Sequence, residues 1–403
     1  MKIKSSEIKH FLQEEYAFRR NLLSGKIEYR TLSADAATSW KTFTQEALNS
    51  VTLAAEEAFP ECRGLDKKLH TQIFSLQTPD FDPAFEFLRS LPSWDGKNYV
   101  GALLDRLPGL RAEQRYWLTL WLRSMVAHWL QLDQLHGNDV VPVLIGAQGC
   151  GKSTFCRQLL PEHLREYYLD HVNLGNKFDK EMALTNNLLV NIDELEQVRP
   201  SRQAELKQLI SKTRVNGRPV YGRAQADRPR YASFVATTNN CHPLHDPTGS
   251  RRFLCIEIPN GALIDNVTPI DYCQLYAQII SQLGFADGIG QLSVEELNAR
   301  HAERGERYWL TVEETLMLQR ANAAYQSTLD LERIVVDCFR KPAADEPCQP
   351  KSMSDVVDFM ARRYPFIRPT HSMKVQVGIA LAAAGFAMTR DASARRYYVI
   401  PVS

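Results

Sequence analysis

The sequence predicts an α/β fold, a sheet of buried strands alternating with helices, and three observations carry that prediction. From residue 140 onward the chain is punctuated by short apolar runs at 140–145, 188–192, 234–237 and 253–258, each the length of a strand buried on both faces. Helical or turn-rich stretches separate these runs, which is the alternation that builds such sheets. The first run leads directly into Gly146-Ala-Gln-Gly-Cys-Gly-Lys-Ser153, a glycine-rich loop that opens a helical stretch.

Length and composition set the frame. At roughly 150 residues per domain, a chain of 403 residues has room for two or three domains and a sizeable core. The formal net charge is +1, so a surface for an acidic polymer must be a local patch. Eight cysteines are scattered without a Cys-x-x-Cys pair, which fits reduced thiols and a cytoplasmic setting. The first residues lack the apolar stretch of a secretory signal. The apolar run at 377–388 is shorter than the roughly 18 residues of a membrane span, so no membrane partner is expected.

The elements follow in order. Residues 1–91 are expected to form a small α+β accessory domain: a helix at 5–16, a hairpin over 19–30 turning at Ser24-Gly25, and a helix from about Lys41 to Phe59. The turn cluster Leu91-Pro-Ser-Trp-Asp-Gly96 places a boundary near Pro92. A strongly apolar helix carrying Trp117, Trp121 and Trp129 follows, and the strand-rich core closes the 92–260 domain. The chain then reads as helical, 261–345, ending in a proline-rich linker at 341–350. In the last segment, 346–403, two helices, Gly385 and two strand-like runs match a winged-helix pattern and equally an ordinary packing domain.

The glycine-rich loop is the strongest chemical signal. Gly146, Gly149 and Gly151 allow backbone N–H groups to close around phosphate oxygens. Lys152 adds a cation for the terminal phosphates, Ser153 offers a hydroxyl to Mg²⁺, and Thr154 continues the cradle. The substrate expected is therefore ATP with Mg²⁺. The run 188–192 ends in Asp193 and Glu194 at the strand's carboxyl edge, where ligands bind in such sheets. Asp193 suits the Mg²⁺ shell. Glu194 suits polarisation of an attacking water, a task that a kinase passing phosphate to another substrate does not need.

The third run ends in Asn239, placed to hydrogen-bond the attacking water or the γ-phosphate. Arg251 and Arg252 precede the fourth run, where a guanidinium can reach a phosphate across a subunit boundary. Asn176-Lys-Phe-Asp179 matches a guanine-reading motif, but it precedes the acidic strand and is read as accidental. Cys241, His242 and His245 form no metal-ligand pattern with a partner pair, and Asp80-Phe-Asp82 reads as a polar turn. Between 199 and 230 cations outnumber carboxylates heavily. Lys212, Arg214, Arg218 and Arg223 flank an Asn216-Gly217 hairpin turn and Tyr221, a mix suited to tracking a nucleic-acid backbone, with a solvated charged surface or an oligomer contact as the alternatives.

In this order the motifs resemble the virulence-associated E family of phage and mobile-element proteins, related to superfamily 3 helicases. Leu-Pro-Ser-Trp-Asp-Gly96, the glycine-rich loop, Asn191-Ile-Asp-Glu-Leu195, Pro219-Val-Tyr-Gly-Arg223, Ala236-Thr-Thr-Asn239 and Thr248-Gly-Ser-Arg-Arg-Phe253 carry the likeness. The resemblance implies an AAA+-like ATPase core, a homo-oligomeric ring expected to be hexameric, and ATP shared between neighbours through Arg251 or Arg252. It further implies a DNA-gripping hairpin in the basic segment, single-stranded or forked DNA as partner, and a primase or other replication protein as a candidate associate. A DNA helicase or translocase is the leading expectation. An initiator, regulatory or defence ATPase that remodels DNA or protein without unwinding is the alternative.

Overall fold

The computed structural model describes residues 4–32, 39–132, 137–172, 175–195, 198, 200–217, 226–244, 250–326, 331–343, 346–364, 367–390 and 395–402. The chain begins with helix α1 (Ser5–Glu15), strands β1 (Tyr16–Asn21), β2 (Ile27–Thr31) and β3 (Lys41–Thr42), helices α2 (Gln45–Ala58) and α3 (Leu65–Ile73), and strand β4 (Asp80–Phe81). The strands form one sheet in the order β3-β2-β1-β4. Its hairpin turns where expected, with Gly25 in the left-handed region at φ 68°. The expected helix start at Lys41 is corrected: Lys41 pairs with Tyr29 as strand, and α2 begins only after Thr44, whose hydroxyl accepts from the Ala47 N–H. Ile8, Leu12, Val51, Leu69 and Ile73 pack a small core under this sheet.

Helix α4 (Pro83–Arg89), capped by Asp82, sends Ala84, Phe87 and Leu88 into the larger core with α5 (Tyr99–Leu104) and α6 (Ala112–Trp129). Helix α6 is apolar around most of its circumference, and such a helix must be enclosed. Trp117, Trp121 and Trp129 are all buried.

The central sheet comprises β5 (Val141–Ile145), β6 (Tyr168–Leu169), β7 (Leu189–Ile192), β10 (Ser233–Thr238) and β11 (Phe253–Glu257), all parallel, in the order β11-β5-β10-β7-β6. Helices α7 (Lys152–Gln158), α8 (Lys177–Asn186) and α9 (Pro200–Ser211) connect the strands, and a two-stranded ribbon, β8 (Arg214–Gly217) with β9 (Ala226–Pro229), precedes β10. Leu144 and Val235 meet Leu118, Trp121, Phe155 and Leu159 on the face covered by α5, α6 and α7.

Beyond β11 the expected helical run is interrupted. Residues 259–270 contain no helix, and α10 (Tyr272–Gln282), α11 (Val294–Arg304) and α12 (Val312–Ala321) follow. A second unit gathers residues 196–204, 242–248 and 323–403. In it α13 (Leu331–Cys338), β12 (Phe339–Arg340), β13 (Lys351–Ser352), α14 (Met353–Arg363), α15 (His371–Ala383), β14 (Met388–Arg390), β15 (Arg395–Tyr397) and β16 (Ile400–Pro401) surround Val335, Phe339, Val356, Met360, Val377 and Leu381. Helix α13 lies before the proline-rich stretch yet packs in the same core as the terminal helices. No described helix is long and apolar enough to cross a membrane.

Candidate active site

The sheet register brings the sequence motifs to one edge. Thr238 lies beside Ile145, and Ala236 beside Ile192, so β5, β10 and β7 reach their carboxyl ends together. The residues that follow, Gly146, Asp193 and Asn239, are therefore brought to one edge, where Asp193 and Asn239 face one space. That space is a cleft of about 340 Å³ whose walls include Gly149, Gly151, Lys152, Ser153, Thr154, Asp193, Glu194 and Asn239. Topology makes such an edge the ligand side of a parallel sheet, because chain connections diverge there.

The loop depends on its glycines. Gly149 and Gly151 hold φ of 81° and 96°, a region that L side chains rarely adopt. At Gly146 an added Cβ would stand 3.0 Å from Ile258 Cβ, so the loop and the residue after β11 are in close contact. Lys152 is only 8% exposed. Its ammonium donates to the carbonyl oxygens of Gly146 (2.7 Å) and Ala147 (2.9 Å) and to Asn239 Oδ1 (2.9 Å). Three neutral oxygens thus hold the cation over the loop, and a phosphate oxygen is a stronger acceptor than any of them.

Asp193 accepts a short hydrogen bond from the buried Thr237 hydroxyl. The strand period places Thr237 and Asn239 on one face, so β10 supports both the carboxylate and the lysine. Thr237 was missed at the sequence level, although the Thr-Thr-Asn strand end carried that alternation. Glu194 stands in the left-handed region at φ 52°, conformational strain of the kind found at reactive positions. On the buried side of the loop helix α7, the Cys156 thiol is pushed up by burial and then by the Asp193 and Asp170 carboxylates, so it stays protonated.

Arg251 and Arg252 are not part of this cleft. Arg251 lines a separate cavity of about 270 Å³ with Trp117, Trp121, Asp139 and Tyr308. Arg252 donates through Nε to Ser211 Oγ at 3.0 Å.

The basic segment requires two corrections. Asn216 and Gly217 are not the hairpin turn; they are ladder residues of β8, opposite Asp227 and Ala226. Arg218, Tyr221 and Arg223 lie outside the described residues. The cations that are described also differ in kind. Lys212 is exposed, and Arg214 pairs with Asp227 at 2.5 Å on the ribbon surface. Arg230 is buried, donating to the carbonyls of Ile210, Lys212, Ala232 and Asn138, so it is a structural cation and not part of a patch. Asn176, in the accidental guanine-motif match, caps α8 by accepting from the Phe178 N–H.

Comparison with known proteins adds the family dimension. The model described as virulence-associated protein E-like domain matches residues 88–327. Among solved structures, the chain is similar to the A form apo structure of the NrS-1 C-terminal region (residues 305–718) at 13% identity, covering 97% of this chain and 98% of that one, with a TM-score of 0.43. It is also similar to the structure named SCCmec type IV Cch, active helicase, at 11% identity, covering 96% and 92%, with a TM-score of 0.36. No match was found among curated proteins.

Proposed function

This chain belongs to the virulence-associated protein E-like domain family, and from that premise we propose that it is an ATP-hydrolysing enzyme that acts on DNA during replication of phage or mobile-element DNA. The observation that carries the proposal is the single cleft into which three parallel strands deliver Lys152, Ser153, Asp193, Glu194 and Asn239. On this reading Lys152 exchanges its loop carbonyls for the terminal phosphates of ATP, and Asn239 positions the attacking water or the γ-phosphate. Glu194 accepts the proton as the water oxygen bonds to the γ-phosphorus. The bond to the β–γ bridging oxygen breaks, releasing ADP and phosphate.

The Ser153 hydroxyl and the Asp193 carboxylate border the same cleft and are hard oxygen donors, the set that fits Mg²⁺. When bound, that ion supplies charge neutralisation at the β- and γ-phosphate oxygens. The strand order, counted within the sheet as 5-1-4-3-2, supports an AAA+-like core. The position of Arg251 and Arg252 outside their own chain's cleft favours a ring, expected to be hexameric, in which one of them completes a neighbour's site. The ribbon bearing Arg214, with Lys212, Arg218 and Arg223, is assigned the DNA contact. Helices α13, α14 and α15 and the two small sheets of the second unit suit a winged-helix module.

The test is ATPase activity measured with and without single-stranded DNA, alongside strand displacement on forked DNA. Stimulated turnover with displacement supports a helicase. Turnover without displacement leaves an ATP-driven remodeller, and absence of ATP turnover refutes the proposal.

A further inference from the structure

Between β11 and α10 the chain runs as an irregular strap, residues 259–270, pressed against the outer side of the phosphate loop. The N–H of the buried Ile264 donates to the Cys150 carbonyl, and Asn266 Nδ2 donates to the Gly151 carbonyl, each at 3.0 Å. A Cβ on Gly151 would stand 2.4 Å from that nitrogen, so strap and loop are in direct contact. From behind, the Arg106 guanidinium clasps the carbonyls of Asp265, Thr268 and Pro269, and the Asp265 carboxylate accepts the N–H groups of Val267 and Thr268. The backbone is thus tightly held. Even so, Leu263 and Val267, on either side of the buried contact, are 73% and 91% exposed.

Sheet order says which part of a nucleotide passes this way. The strap leaves the end of β11, which flanks β5 on the side away from β10 and β7. Asp193, Glu194 and Asn239 sit at the ends of β7 and β10 and mark the γ-phosphate end of the cleft. The nucleoside therefore emerges on the opposite side, over the strap. There the geometry points to a base-binding platform: we propose that Leu263 and Val267 form the apolar surface on which the adenine of ATP packs. This rests on reading the cleft as an ATP site.

The loop helix holds the strap as well: Gln158, one helical turn beyond Thr154, donates through Nε2 to the Asn266 carbonyl at 3.0 Å.

Binding of ATP and inorganic tripolyphosphate to the full chain, measured by calorimetry for wild type and for Leu263→Ser/Val267→Ser, tests the proposal. Tripolyphosphate occupies the loop without a base. We expect the double variant to lose about tenfold in ATP affinity while tripolyphosphate affinity stays unchanged. Both positions are exposed, and circular dichroism checks that the variant is folded. Unchanged ATP affinity, or an equal loss for tripolyphosphate, overturns the platform. If wild type binds neither ATP nor tripolyphosphate, it is the ATP-site reading that fails.

Discussion

Arg230→Met is expected to destabilise the unit that carries the proposed ATP cleft by about 4 kcal/mol, a large share of the roughly 5–15 kcal/mol typical of folded domains. The magnitude follows from its partners. The guanidinium donates to Ile210 O, Lys212 O (2.7 Å), Ala232 O (2.7 Å) and Asn138 O (2.9 Å), tying the end of α9, the entry to β10 and the segment before β5 together. Burial pulls its pKa down to about 10, and the cation is retained because those four dipoles replace its hydration. Hydrogen bonds to a charged group contribute roughly 1.5–3 kcal/mol each, and burying the cation costs several kcal/mol, so the sum is far smaller than four such bonds. Methionine fills much of the volume but leaves four carbonyls without that donor. All six tryptophans, the last being Trp309, belong to the first unit, so tryptophan fluorescence during urea unfolding reads this unit directly. A loss below about 1 kcal/mol would refute the view of Arg230 as a structural cation and return it to the DNA-facing patch.

Four further outcomes are expected. His128 is fully buried, its Nε2 accepts the Asn138 N–H at 2.7 Å, and burial lowers its pKa to about 3. The unfolded chain binds this proton below about pH 6.5 and the folded one does not. Stability is therefore fully present above 6.5 and falls by about 1.4 kcal/mol per unit toward pH 3, a slope that His128→Gln should remove from urea titrations. Lys152→Ala should abolish ATP binding or turnover and Glu194→Gln should retain binding while losing hydrolysis; normal steady-state turnover in either variant contradicts the proposed site. Mixing Arg251→Ala or Arg252→Ala with Glu194→Gln, each nearly inactive alone, should restore ATPase activity once subunits exchange, because some interfaces then pair an intact glutamate with an intact arginine. No recovery after demonstrated exchange rules out the shared site. Neutralising Lys212, Arg214, Arg218 and Arg223 should flatten the log–log salt dependence of DNA binding by roughly 0.7 per lost single-strand contact, and an unchanged slope would show that the ribbon faces elsewhere.

Local pattern sufficed for the strands of the parallel-sheet core, because their information is local. Strands buried on both faces must be continuously apolar, so 140–145, 188–192, 234–237 and 253–258 were visible as runs, and the loop glycines are demanded by backbone conformation at Gly149 and Gly151. Lys152, Asp193, Glu194 and Asn239 were legible as strand or loop ends. Their convergence was not, since it depends on which strands are neighbours: only the order β11-β5-β10-β7-β6 sets Asn239 against Lys152 and Thr237 against Asp193.

The basic segment shows the same division. A count of charges cannot separate Arg214 on the ribbon surface from Arg230 in the interior, because the distinction lies in carbonyls supplied from as far away as Asn138. Nor can propensity place the Asn216-Gly217 pair. A turn-favouring dipeptide becomes strand when the ladder to Asp227 and Ala226 satisfies its backbone groups. The strap at 259–270 read as the start of a helical region because its neighbours are helical, yet its conformation is dictated by Arg106, Cys150 and Gly151. Sequence therefore determined which chemical groups this chain carries and the local backbone that presents them. Tertiary structure alone decided which of those groups meet, because hydrogen bonds and burial between residues a hundred positions apart have no signature in local periodicity.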